Sequence, residues 1–185
     1  MRIATTWNNL LNLWLNTNSC LFPEDTFKLQ KILVKLMRIK SGDNLIIGRS
    51  VLLIEPQNIS MGANIKISDF SRIAAYEQVI IGNNFLGASF LSIDAGSHEL
   101  NGRKNNHKRI SIGDNVWCAS RVTICAGAII GNNCVIGAGS VVLEKYPIPD
   151  NFLACGIPAK PVKPLPHQPP IPPKPHQRHL TTDES

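Results

Sequence analysis

The side chains of this chain best suited to moving a proton at neutral pH are its histidines, of which there are five. His167, His176 and His179 stand in a proline-rich stretch, PLPHQPPIPPKPHQRHL, with no scaffold to order them as metal ligands. The other two bracket one short segment: His98 in DAGSHEL (94 to 100) and His107 in Asn-Asn-His-Lys-Arg (105 to 109). A positioned imidazole can take the proton of an attacking hydroxyl and return it to a leaving thiolate, so it suits acyl transfer to a poor nucleophile. Such a base needs an orienting partner on its second ring nitrogen. Asp94 and Glu99 are close in sequence, and a backbone carbonyl among the small residues could serve instead; Asp94 is the expected partner. A hydratase that holds zinc on three histidines is excluded by count, because only His98 and His107 lie outside the tail.

These residues must be positioned by what surrounds them, and the surroundings are periodic. Ile112, Cys118, Ile124, Ile130, Ile136 and Val142 recur every six residues, with Val116, Val122, Ala128, Cys134 and Ser140 four positions after the first five. Gly-Asp-Asn, Gly-Asn-Asn and Gly-Ala-Gly turns recur in phase. The frame extends upstream through Met61, Ile67 and Ile73, slips by two residues, and resumes at Ile81, Gly87 and Ile93; Ile47 and Leu53 mark an earlier turn. A helix has a period of 3.6 and a lone strand a period of 2, so neither accounts for six. Short strands joined by tight corners do, with one apolar side chain per face turned inward and coil stacked upon coil. The frame breaks after Ile93. The segment ELNGRKNNHKR (99 to 109) is polar and basic, and its Asn-Gly and Asn-Asn pairs are turn signals. It reads as an excursion on a rigid scaffold, with His98 at its base.

The stretch IGDNVWCASRVTICAGAIIGNNCVIGAGSVV followed by ACGIPAKPVK, with GSHEL before it, resembles the left-handed β-helix acyltransferases of the hexapeptide-repeat superfamily. Within that superfamily it looks most like the sugar O-acetyltransferases of bacterial exopolysaccharide and O-antigen synthesis, with maltose, galactoside and nodulation-factor acetyltransferases as wider relatives. The resemblance covers residues 40 to 163. It implies a mainly β fold, acetyl-CoA as donor without a metal, a saccharide acceptor and a homotrimer with sites at subunit interfaces. It also implies a cytoplasmic enzyme with no nucleic-acid partner. His98 falls at the family's catalytic histidine. Ser120 and Ala138 match residues that touch the pantetheine arm through main-chain groups, and Lys160 a basic residue near the nucleotide phosphates. Lys145 matches the lysine of a Thr-Lys pair, although Glu144 precedes it here. Trp117 matches the tryptophan of the Asn-Val-Trp motif, near acceptor or pantetheine, with subunit packing an equal reading. Asn83 and Asn84 could hold sugar hydroxyls, although asparagines at corners are usually structural.

The remaining chain divides into appendages. Residues 23 to 40 read as an amphipathic helix, with Phe27, Leu29, Ile32, Leu33, Leu36 and Met37 opposite Lys28, Lys31, Lys35 and Arg38. Within an N-terminal segment 1 to 40, that helix is expected to cap the open end of the β-helix (41 to 163). Contact with the inner face of the membrane is the alternative use of its basic stripe. Residues 164 to 185 read as a disordered proline-rich tail. The chain's net charge of +6 suits anionic partners without choosing among them, and its five scattered cysteines form no C-x-x-C pair, which fits reduced, small apolar residues. An N-acetyltransferase of an amino sugar nucleotide and a noncatalytic β-helix scaffold are the rival functions; serine acetyltransferase is disfavoured for want of its long helical N-terminal domain.

Overall fold

Each six-residue unit of the sequence becomes one short strand and one corner, and three units close a coil. In the computed structural model, which describes residues 34–99 and 105–166, the first coil holds β1 (Lys40–Ser41), β2 (Leu45–Ile47) and β3 (Leu52–Ile54). The second holds β4 (Ile59–Met61), β5 (Ile65–Ile67) and β6 (Arg72–Ala74), and the third β7 (Val79–Ile81), β8 (Leu86–Gly87) and β9 (Ser92–Asp94). The fourth holds β10 (Ile110–Ile112), β11 (Trp117–Cys118) and β12 (Thr123–Cys125); the fifth β13 (Ile129–Ile130), β14 (Val135–Ile136) and β15 (Val141–Val142). A sixth turn begins where Ile148 bridges Ile130 and ends in the hairpin β16 (Phe152–Gly156) and β17 (Ala159–Pro164).

Like strands of successive coils stack into three sheets. The first sheet is β1-β4-β7-β10-β13, the second β2-β5-β8-β11-β14-β16-β17 and the third β3-β6-β9-β12-β15. The pairings are parallel, as in Ser111 against Ile129 and Thr123 against Val141; the closing hairpin is antiparallel. This is the expected parallel β-helix of hexapeptide repeats. Its inward column runs on past Val142 to Ile148 and Ala154, both buried, and the second small positions Val116, Val122, Ala128 and Cys134 are buried with it. Ser71 and Ser140 are buried too. Their hydroxyl oxygens accept the N–H of Leu91 (3.2 Å) and of Gly156 (3.1 Å), which offsets their desolvation.

The corner from first to second sheet carries an amide ladder. Asn44, Asn64, Asn84, Asn115, Asn133 and Asn151 each have positive φ, between 54° and 62°, which asparagine tolerates better than other residues with a side chain. Each Nδ2 donates to the Oδ1 of the next, at 2.8 to 3.1 Å, over separations of 20, 20, 31, 18 and 18 residues. Those separations are the coil lengths. The first two coils thus exceed three hexads by two residues, which fall in the corner from third to first sheet, around Pro56–Asn58 and around Tyr76. The two-residue slip in the sequence is the second of these. The 31-residue coil carries its excursion at that same corner, so every insertion stacks along one edge of the prism.

At the open end, residues 34–36 are helical, and Val34 and Met37 are buried against the core while Leu36 is 63% exposed. Leu36 therefore leaves the apolar stripe assigned to it, and Val34 takes its place. Residues 23–33 of that helix, and with them any membrane contact, lie outside the described residues, as does the tail from 167.

Candidate active site

The excursion leaves the scaffold from β9 and returns to β10, and its two limbs are stitched together at the base. Lys108 N–H donates to Ala95 O (3.1 Å), Asn106 N–H donates to Ser97 O (2.8 Å), and His98 forms an antiparallel bridge with Asn105. His98 is exposed at the head of this base, and His107 is half-buried beside it, with the ring centroids 6.4 Å apart and nearly edge-on. His107 also packs on Tyr76, stacked at 5.3 Å with 20° between the planes. Tyr76 comes from the corner one coil earlier, where the two additional residues accumulate.

Asp94 holds the turn that carries His98. Its Oδ2 accepts Arg72 Nη1 at 2.6 Å and its Oδ1 accepts the N–H of Gly96 at 2.9 Å. Both oxygens are thereby engaged, so Asp94 acts on the backbone leading to His98. Gly96 has no room for a side chain: a Cβ there would stand 2.7 Å from Tyr76 Cδ2 and 2.9 Å from Asp94 Oδ1. The far limb is tied across two coils, where Lys108 Nζ meets Glu144 Oε2 at 2.5 Å. Glu144, which displaces the expected threonine, also lies in the space a side chain at Gly127 would need.

The other residues singled out from the sequence fall into two groups. Lys145 lies in the corner after β15, on the same edge as His98. Ser120 and Ala138 lie on the neighbouring edge, in the corners from second to third sheet, and Trp117 stands on the second sheet, paired with Leu86 and Val135 and 48% exposed. The fold thus brings His98, Asp94 and Lys145 to one edge and Ser120 and Ala138 to another. Lys160 Nζ and Lys145 Nζ both lie over the ring of Tyr146, at 5.2 and 5.6 Å from its centroid, which sets two cations about one aromatic ring.

Asn84 belongs to the amide ladder. Asn83 accepts the N–H of Ala63 (2.9 Å) and donates its own N–H to Asp114 (2.6 Å), so both asparagines are parts of the scaffold. Among the described residues no group of three or more His, Cys, Asp or Glu side chains could hold a metal. Arg72, Tyr76 and Gly96 did not stand out in the sequence. The two-residue slip was the signal for Tyr76, because an insertion at one corner must stack on the insertion in the next coil.

Residues 109–144 match the bacterial transferase hexapeptide (six repeats) family. The chain is 34% identical over 138 residues to the galactoside O-acetyltransferase of Escherichia coli K12, covering 72% of this chain and 67% of that one. It is also 34% identical over 119 residues to the putative lipopolysaccharide biosynthesis O-acetyl transferase WbbJ of the same organism; that match covers 57% of this chain and 60% of the relative. Among solved structures, a galactoside acetyltransferase in complex with coenzyme A superposes with a TM-score of 0.79 at 27% identity, over 89% of this chain and 82% of the other.

Proposed function

Since the chain belongs to the hexapeptide-repeat family of acetyl-CoA-dependent sugar O-acetyltransferases, we propose that it acetylates a hydroxyl of a saccharide destined for a bacterial surface polysaccharide, with His98 as general base. The observation that carries this reading is the placement of one exposed imidazole on a turn clamped by Arg72, Asp94 and Gly96, at the base of the excursion between β9 and β10.

The donor supplies an acetyl group already activated as a thioester. What this chain adds is proton transfer and position. His98 removes the proton of the acceptor hydroxyl as the hydroxyl attacks and then protonates the departing sulfur, so one residue serves both directions. Backbone N–H groups at the coil corners stabilise the negative charge that develops on the acetyl oxygen. Lys145 and Lys160 would hold the phosphates, and Ser120, Ala138 and Trp117 would line the pantetheine arm.

The division of these residues between two edges supports a homotrimer, in which the edge bearing His98 meets a neighbour's edge bearing Ser120 and Ala138. Leu86 and Trp117, paired on the second sheet and both exposed, offer apolar surface for that contact. No helix of the described residues is long and apolar enough to cross a membrane. A cytoplasmic site of action, where the donor is made, fits the proposed reaction.

The test is turnover of acetyl-CoA, followed by thiol release with a panel of mono- and oligosaccharides. The His98→Ala variant should lose about two to four orders of magnitude in kcat, with little change in KM for acetyl-CoA. Undiminished activity in that variant overturns the assignment.

A further inference from the structure

His98 follows Ser97, and both polar groups of the Ser97 backbone are held by consecutive residues of the returning limb. Its carbonyl accepts the N–H of Asn106 at 2.8 Å, and its N–H donates to Nδ1 of His107 at 3.3 Å. An accepting Nδ1 carries no proton, so the proton of the neutral ring stands on Nε2. The ring is kept in that pose by the Tyr76 face stacked on it, and it presents an edge to His98 on the other side.

We propose that His107 is a positioning residue for His98, acting through the Ser97 amide. The proposal rests on the reading of His98 as the base. Three elements converge on the five residues 94–98. Arg72 of β6 fixes Asp94, Tyr76 of the preceding corner closes on Gly96, and His107 of the far limb takes the Ser97 N–H. The first two contacts set the start of the turn. The third sets the Gly96–Ser97 peptide group, one peptide bond before the Ser97–His98 link whose carbonyl Asn106 holds, and without it the partly buried Ser97 N–H loses its partner. A base whose backbone is free to rock spends less time at attack distance, which lowers kcat and leaves donor binding alone.

Two substitutions separate the acceptor atom from the ring. Asparagine at 107 sets its Oδ1 close to where Nδ1 stands and abolishes the stack; phenylalanine keeps the stack and removes the acceptor. Both proteins are compared with the wild type for kcat and KM with acetyl-CoA, using p-nitrophenyl β-galactoside and water alone as acceptors. Melting temperature and Ser97 amide hydrogen exchange are measured alongside. His107→Asn should keep kcat within about threefold and Ser97 protection near wild type, whereas His107→Phe should lose roughly tenfold to a hundredfold in kcat and expose the Ser97 amide, at unchanged KM for acetyl-CoA. Equal kcat and equal amide protection in His107→Phe and the wild type overturn the proposal, as does an equal loss in both variants. His98→Ala distinguishes the two failures. If that variant stays active the base assignment is wrong, while Ser97 exchange still reports whether His107 holds the amide.

Discussion

Arg72 and Asp94 meet at 2.6 Å across adjacent coils, each side chain about one-third exposed, and the pair lies directly below the turn that carries His98. Asp94 bonds the Gly96 N–H with its other oxygen, so its two contacts differ in kind. Asp94→Asn can still accept from Gly96, but it turns a donor toward Arg72 if Oδ1 keeps its place. Asp94→Ala loses both contacts. We expect the alanine variant to be less stable by about 1–2 kcal/mol in urea unfolding and the asparagine variant by less, with kcat falling in the same order. Equal kcat in all three proteins would show that the turn does not depend on this carboxylate.

The contact between Gly96 and Tyr76 makes a second prediction. A methyl group added at 96 would meet the Tyr76 ring at 2.7 Å, so Gly96→Ala must displace the ring, the turn or both. Turnover should fall several-fold, and shortening Tyr76 to alanine in the same protein should recover part of it. The double-mutant cycle should give a coupling of about 1 kcal/mol or more in transition-state free energy; additive losses would refute the contact.

Asn115, in the middle of the amide ladder, combines φ 56° with two side-chain hydrogen bonds, one accepted from Asn84 and one donated to Asn133. Asn115→Ala breaks both bonds and keeps a side chain in the left-handed region, which costs about 2–4 kcal/mol in all. Asn115→Gly breaks the same bonds but relaxes the backbone, so it should be the more stable of the two variants by about 1 kcal/mol. Denaturant midpoints read both values, and the reverse order would mean that the backbone carries no strain there.

Acid should weaken the fold at two corners. Asp69 is held below the usual carboxylate range, first by the Arg49 backbone N–H at 2.9 Å and then by the Arg49 guanidinium; Asp150 is held low by the Asn132 backbone N–H at 2.7 Å and then by that residue's amide group. A carboxyl lowered in the native state binds fewer protons there than in the unfolded chain. Its contribution is complete above about pH 4 and is lost as pH falls through the lower native values. The melting temperature of the wild type should therefore exceed that of the Asp69→Asn, Asp150→Asn double variant at pH 6, and the gap should close below about pH 4. A gap that stays constant to pH 2 contradicts the ionic origin.

The coils were legible because the inward column obeys one rule: Ile112 to Val142 repeat every six residues, and two positions before each of them a second side chain, from Ile110 to Ser140, is buried as well. His98 was legible because it stands where that rule lapses. The partners of the turn were not, since Arg72 and Tyr76 lie 22 or more residues before His98 and come near it only once the coil length is known. The two-residue slip held that length, yet its meaning depends on which corner absorbs it. Leu36 and Val34 exchanged places because the end of the β-helix buries what its column can receive, and Val34 and Met37, not Leu36, meet that column.

All additional residues collect on one edge, and this separates two kinds of change during descent. A coil layer is shared with its neighbours above and below, so an altered residue at Ile124 or Val142 disturbs three layers at once. A longer or shorter segment between Glu99 and Asn105 leaves the ties Lys108–Ala95, Asn106–Ser97 and His98–Asn105 in place, and doubling its length costs only about 0.6 kcal/mol in closure entropy. A chain of this build can therefore exchange one excursion for another as a cassette while its coils stay unchanged. Grafting the corresponding loop from a relative that acts on a different sugar between Glu99 and Asn105 is the direct way to exploit that modularity.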